Sequence, residues 1–182
     1  MTMWGPKLVV QWSCDGCKNA DIFNRVQFVS ESNLSPEDQS LMQAKVGTVK
    51  GPFTLSRNVI RLSKLVDVAS RPDSVEARHI LISGNDAEAR IDSINNLIES
   101  GQSFSTLAQT YSEDPGSSAN GGDLGWFKEG AMVDAFNDVC FSSSVGERSV
   151  INTQFGTHLV EVTKRAKSSK KYKIAHLDRK IV

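Results

Sequence analysis

The sequence predicts an α+β fold, and three features carry that expectation. Two histidines sit on strand-like segments, Ala77-Arg78-His79-Ile80-Leu81 and Gly156-Thr157-His158-Leu159-Val160. These lie at opposite ends of a block of ~90 residues, a size that suits one small domain. Two amphipathic helical stretches follow the first histidine. A glycine turn, Gly121-Gly122-Asp123-Leu124-Gly125-Trp126-Phe127, and a short run ending at Phe136 precede the second.

Composition bounds the function classes. At 182 residues the chain suits one ordinary domain or two small ones. Hydrophobic residues make up 39% and charged residues 23%, enough to fold. The formal net charge is zero and the pI about 6.8, so no global pull toward nucleic acid or an anionic membrane is expected. No apolar run reaches the roughly 18 residues needed to span a bilayer. Residues 1–10 lack a basic start followed by an apolar core, so they do not form a secretory signal. The chain is thus either cytoplasmic or a fragment of something longer, and its ends favour a fragment. It opens straight into Lys7-Leu8-Val9-Val10, and Lys173-Ile174-Ala175-His176-Leu177 reads like the first strand of a following unit.

Three cysteines are too few for a disulfide framework. Cys14-Asp15-Gly16-Cys17 is a lone C-x-x-C without the second ligand pair of a structural zinc site. It reads best as a turn between strands, because Asp-Gly favours turns. A local disulfide and metal capture remain open beside that reading. Cys140, in an apolar helical stripe, is expected in the core.

The N-terminal region, 1–73, is expected to mix strands and helix. Leu8-Val9-Val10-Gln11-Trp12 and Arg25-Val26-Gln27-Phe28-Val29 are β-prone runs. Ser35-Pro36-Glu37-Asp38 has the form of a helix start, with Ser at the N-cap and Pro at the first helical position. That helix is expected to run to about Lys45 and stop at Gly47. Residues 59–66 read as a strand. The run Val46-Gly47-Thr48-Val49, with the strand that follows it, has a weak echo in Val145-Gly146-Glu147-Arg148 and residues 158–162. Either these are unrelated β segments, or residues 1–70 hold a degenerate copy of the later unit.

Arg71-Pro72-Asp73-Ser74 reads as a linker. Residues 75–82 read as a buried strand. Asp86 caps a helix carrying Ile91, Ile94, Leu97 and Ile98 and ending at Gly101. Ser103 caps a second helix with Phe104, Leu107, Ala108 and Tyr111 on one face. Residues 112–125 form a turn-rich loop. Residues 132–140 form a short third helix. Along 157–163, alternation places His158, Val160 and Val162 on one face, and Thr157, Leu159, Glu161 and Thr163 on the other. His158 is therefore expected to face inward. The basic run Lys164, Arg165, Lys167, Lys170, Lys171 and Lys173 reads as a solvated linker over 167–182, and one Tyr172 gives thin support for nucleic-acid binding.

The ordered set of His79, the glycine turn, Phe136 and His158 resembles the parvulin family of peptidyl-prolyl cis/trans isomerases over about residues 74–166. The resemblance implies a small antiparallel sheet surrounded by three to four helices, with a smaller mixed segment before it. It implies rotation about X-Pro amides, a reaction that needs no metal or cofactor. His79 and His158 match the family's paired histidines, and Thr153 matches a threonine of their hydrogen-bond network. Asp114 falls where some members carry cysteine and many bacterial members aspartate, which argues against covalent chemistry there. These four are the expected catalytic residues. Leu124, Met132 and Phe136 match the pocket for the proline ring. Phe155 stands where some members have serine, which makes the rim more apolar. In phospho-specific members a basic cluster follows the first histidine; here that place is Ser83-Gly84-Asn85-Asp86, so a phosphorylated residue before proline is not expected to be preferred.

The expected partners are unfolded or extended proline-containing polypeptides, with no nucleic acid and no membrane contact within this stretch. The flanking segments resemble bacterial cell-envelope foldases, which implies a periplasmic or envelope location. A second reading keeps the parvulin fold but makes it a chaperone-like peptide binder with little or no isomerase activity.

Overall fold

The computed structural model describes residues 22–23 and 26–180. The expectations for Leu8–Trp12 and for Cys14 and Cys17 fall outside the described residues. The elements run in chain order β1 (Ile22–Phe23), β2 (Phe28–Ser30), β3 (Val49–Ser56), β4 (Val59–Pro72), β5 (Ser74–Ile82), α1 (Ala87–Glu99), α2 (Phe104–Tyr111), β6 (Asp123–Lys128), α3 (Asp134–Ser142), β7 (Arg148–Thr153), β8 (Gly156–Arg165) and β9 (Ser168–Lys180). They form two antiparallel sheets. One has the order β1-β9-β4-β3, with β2 also paired to β9; the other has the order β6-β5-β8-β7. Among the described residues no helix is long and apolar enough to cross a membrane.

The four-stranded sheet is covered on both faces, and the alternation of its central strands explains how. On β5, Ile80 and Ile82 join Leu159 of β8 in a core with Ile91 and Ile94 of α1 and Phe104, Leu107 and Ala108 of α2. Val75 and Ala77 point the other way. With Val160 and Val162 they pack on Phe136, Cys140 and Phe141 of α3. His79 and His158 share the parity of this second face, so period-two geometry delivers both imidazoles to the α3 side. Local signals fix the helices that close the first face. Ser103 Oγ accepts from the Thr106 N–H at 3.5 Å at the start of α2. Gly101, at φ +100°, ends α1 with Gly101 N–H to Ile98 O (2.9 Å) and Gln102 N–H to Leu97 O (3.0 Å), the paired bonds of a Schellman cap.

Four expectations need correction. The helix expected over 35–45 is a pair of tight turns, with a 3-10 segment only at Asp38–Leu41. Ser35 and Asp38 do bond to each other, but the Asp38 carboxylate is drawn to His176 of β9 at 2.8 Å. That tie, and the burial of Leu34 and Leu41 on Leu65, Tyr172 and Ile174, fold the segment flat onto the sheet. Second, Arg71–Ser74 is not a free linker. It is the corner between β4 and β5, anchored by Asp73 N–H to Lys167 O at 3.1 Å. Third, residues 168–180 do not begin a following unit. They form β9 and pair with β4 from Val59↔Lys180 to Pro72↔Ser168. The basic run is part of that strand, with Lys171 buried and 3.2 Å from Asp73. Fourth, the loop expected to reach Gly125 ends sooner, because residues 123–128 pair with β5 as an edge strand.

The echo is real but short. Gly47 and Gly146 each precede a strand by two residues, have positive φ, and donate N–H at 2.8 Å to a carbonyl of the second strand of the hairpin that follows, Leu65 O in β4 and Val162 O in β8. An antiparallel hairpin follows in both cases, β3–β4 and β7–β8. No counterpart of α1 or α2 precedes the first copy among the described residues.

Candidate functional site

Adjacent strands β5 and β8 bring His79 and His158 together from 79 residues apart. His79 Nδ1 lies 3.1 Å from His158 Nδ1, and the rings stack at 5.3 Å between centroids and 20° between planes. Phe136 of α3 stands edge-on to both, at 5.6 Å from each ring. All three side chains are nearly excluded from water.

The flanking groups continue the polar chain. Thr153 Oγ1 is 2.7 Å from His158 Nε2 and accepts the Phe155 N–H at 3.1 Å. On the other side, His79 Nε2 is 2.9 Å from Asp114 Oδ2 and 3.0 Å from Ser117 Oγ. Burial raises the Asp114 pKa, but hydrogen bonds from Ser117, His79 and the Gly116 N–H outweigh it and hold the carboxyl below the usual carboxylate range. Burial, then the neighbouring His79, lower the pKa of His158 to about 4, so that ring is neutral at neutral pH.

Charge sets the direction of the chain. A carboxylate only accepts, so the proton between His79 and Asp114 belongs to His79 Nε2. When Nε2 is the one protonated nitrogen of His79, its Nδ1 accepts from His158 Nδ1–H. His158 Nε2 accepts from the Thr153 hydroxyl, whose free lone pair takes the Phe155 N–H. This tautomer assignment follows from satisfying every partner of the network.

Above the imidazoles lies a cleft of about 520 Å3. Leu124, Met132, Val133 and Phe136 supply most of its apolar wall. Pro115 and Phe155 form opposite rims, with Phe155 56% exposed. His79, Asp114 and His158 are the titratable residues lining it. The structure therefore brings together seven of the residues singled out from sequence, and holds Thr153 one hydrogen bond behind His158. Leu124 lies on the edge strand β6 and not at a turn. Met132 and Val133 lead into α3, which starts two residues later than expected.

Sequence reasoning missed Leu81, Ala131, Val133 and Ser117. Leu81 shares the face of His79 by simple alternation, so the pattern held that signal. Ser117 follows Asp114 by three residues, a spacing that puts a hydroxyl within reach of a carboxylate in a tight loop. Nothing in the sequence tied it to His79.

Cys140 is fully buried and its thiol is pushed up to about 12 by desolvation, consistent with packing and not with nucleophilic chemistry. A larger cleft, about 700 Å3, opens at the junction of the sheets beside Glu31, Asp73, Glu129 and Lys170. Its lining is mixed, with Phe28 and Val29 among charged and hydroxyl side chains.

Known proteins are similar to this chain in sequence and in fold. The chain is 40% identical over 94 residues to the foldase protein PrsA of Geobacillus kaustophilus, covering 51% of this chain and 32% of the relative. It is 39% identical over 133 residues to the chaperone SurA of Alkalilimnicola ehrlichii, covering 66% and 30%. It thus spans about a third of the length of these curated relatives. The crystal structure of the peptidylprolyl isomerase PrsA from Bacillus anthracis superposes with a TM-score of 0.50 at 31% identity, covering 54% of this chain and 44% of that one. The family model described as a PPIC-type PPIase domain matches residues 60–166. That match takes in β5 to β8, both imidazoles and every wall of the cleft. With more than half of its residues matched, and a parvulin-like α+β fold, the chain belongs to the PPIC-type peptidyl-prolyl isomerase domain family.

Proposed function

We propose that this chain catalyses cis/trans rotation about X-Pro bonds in extended or unfolded polypeptides, and that it serves as a folding factor of the cell envelope. The observation that carries this reading is the apolar cleft floored by two stacked, hydrogen-bonded imidazoles.

The chemistry needs little more. An X-Pro bond prefers trans by only about 0.5–1 kcal/mol, yet its rotation crosses roughly 18–20 kcal/mol. At the top of the barrier, resonance between nitrogen and carbonyl is lost and the amide is less polar. A water-poor wall of Leu124, Met132 and Phe136 receives the pyrrolidine ring without asking for hydrogen bonds. Moving the planar, polar amide out of water disfavours the ground state relative to the twisted one, so binding energy is used differentially. His79 and His158 provide a rigid, oriented floor, and no covalent bond forms. Asp114 holds the His79 ring and Thr153 the His158 ring.

The site also bears on specificity. Ser83 bonds through its N–H and hydroxyl to Glu113, and Glu113 also binds Arg90 at 3.1 Å. The place where a phosphate would sit thus presents a carboxylate and an engaged cation. This favours clients without phosphorylation, and the exposed Phe155 ring favours apolar segments. Names among the relatives, foldase and chaperone, fit a role in assisting folding. We place the unit in residues 74–166.

The test is exchange spectroscopy on a short proline peptide. The full chain should accelerate cis/trans exchange, with chemical-shift changes gathered at Leu124, Met132, Phe136 and His158. The double variant Met132→Ala with Phe136→Ala should bind and catalyse weakly. Unaccelerated exchange alongside retained peptide binding overturns the isomerase reading in favour of a peptide-holding role. Full activity in the double variant discards the pocket assignment.

A further inference from the structure

Ser117 opens the 3-10 turn Ser118–Asn120 from the N-cap position, yet its side chain makes no capping hydrogen bond. Serine at such a position ordinarily caps. Here the hydroxyl is only 1% exposed as a residue and is committed elsewhere: it lies 3.0 Å from His79 Nε2 and donates to Asp114 Oδ2. Its backbone is tied to the same histidine. The Ser117 carbonyl accepts Asn120 N–H and Gly122 N–H, each at 2.9 Å, and the Gly122 carbonyl accepts His79 N–H at 2.9 Å. These bonds tie the loop to β5. A Cβ at Gly122 would meet the His79 carbonyl oxygen at 2.2 Å, and its φ of +81° suits glycine alone.

We propose that Ser117 is a positioning residue for X-Pro rotation. Its hydroxyl closes a ring with His79 Nε2 and Asp114 Oδ2 that fixes the His79 tautomer, and with it the direction of every hydrogen bond as far as Phe155. The proposal rests on the isomerase reading. The chain of bonds runs under the cleft from the Asp114–Pro115 rim to the Phe155 rim, so one tautomer holds both rims in register. Without the hydroxyl, Asp114 loses the bond that most strongly favours its ionised form. A carboxylate no longer pinned by that hydroxyl can turn away, and His79 Nε2 then lacks the acceptor that requires a proton there. Both rings can then invert together, the Thr153 hydroxyl turns, and the Phe155 N–H competes for its oxygen.

The test uses the full chain with nitrogen-15 in its imidazoles, comparing Ser117→Ala and Ser117→Thr. In the parent, ring nitrogen shifts should report Nε2–H on His79 and Nδ1–H on His158. Ser117→Ala should give mixed tautomers and a displaced Phe155 amide signal, although Phe155 is four hydrogen bonds away. Its kcat/KM for a proline peptide should fall about tenfold, the scale of one charge-assisted hydrogen bond. The acid limb of its pH profile should move to higher pH, because Asp114 is less favoured as a carboxylate. Ser117→Thr, which keeps the hydroxyl, should restore all of these. A folded Ser117→Ala protein with the parent's ring pattern and pH profile overturns the proposal. If Ser117→Ala does not fold, Ser117→Cys, a weaker donor of similar size, gives the same readout: mixed tautomers support the assignment and the parent pattern removes it. If the parent does not isomerise peptides at all, the ring shifts still decide the role of Ser117, and only the isomerase reading falls.

Discussion

The hairpins β3–β4 and β7–β8 begin with the same turn and end in very different surroundings. Each follows a Val-Gly pair with positive φ at the glycine and an N–H bonded back across the hairpin. The second is clothed by α1 and α3, and its long strand buries His158. The first presents an edge strand whose residues are almost all exposed on both faces, including Val49 and Leu55. A shared local grammar therefore specifies a hairpin and nothing more. Chemistry enters where helices exclude water over one face and leave polar side chains no partners except each other. The bare hairpin is protected in another way: Pro52 and two register shifts along β3 interrupt the ladder, which makes the edge a poor template for another strand.

Perturbations on the two sheets should differ in size. Phe136→Ala removes a ring that touches both imidazoles and Phe127. It should cost about 3–5 kcal/mol, read as a lower midpoint in urea, and should also weaken proline-peptide binding. A loss below roughly 1 kcal/mol would mean the clothed sheet is no better packed than the bare edge at β3.

Acid should act on the clothed sheet first. His158 has a folded pKa near 4 against 6.5 for the free side chain. Between those values the unfolded chain binds more protons, so stability should fall as pH drops from about 6.5 toward 4. On the other sheet, Asp38 is lowered too: burial opposes this, and the bond from His176, with that from Ser35, prevails. Its contribution is present above the ordinary carboxylate pKa and is lost only as pH falls through its lower folded value. Urea midpoints measured across this range should show the earlier loss, and His158→Asn should flatten it. A curve unchanged by that substitution would reassign the slope to other groups. The smallest effect is expected at the bare edge: Val49→Ser should stay within about 0.5 kcal/mol of the parent in urea unfolding.

How much of this was legible depended on the range of the forces involved. Helices α1 and α2 could be read because their caps and apolar stripes are local. The facing of His79 and His158 could be read from alternation once both strands were in one sheet. The pairing of β9 with β4 could not, since a lysine-rich strand looks solvated until an acid such as Asp73 is placed beside it. Asp38 defeated the expected helix for the same reason: its partner His176 lies 138 residues away. Ser117 was hidden differently, by doing something other than the capping its position suggests.

The corner at Asp73 has one more implication. The start of β5 and the end of β8 meet at a two-bond stem, Asp73 N–H to Lys167 O and Ala166 N–H to Ser74 O at 3.0 Å. The stretch from β5 to β8 thus leaves and returns at one point, and its severed ends would lie side by side. Ends so placed suit grafting into a host protein's surface turn, or a tight turn that rejoins β4 to β9.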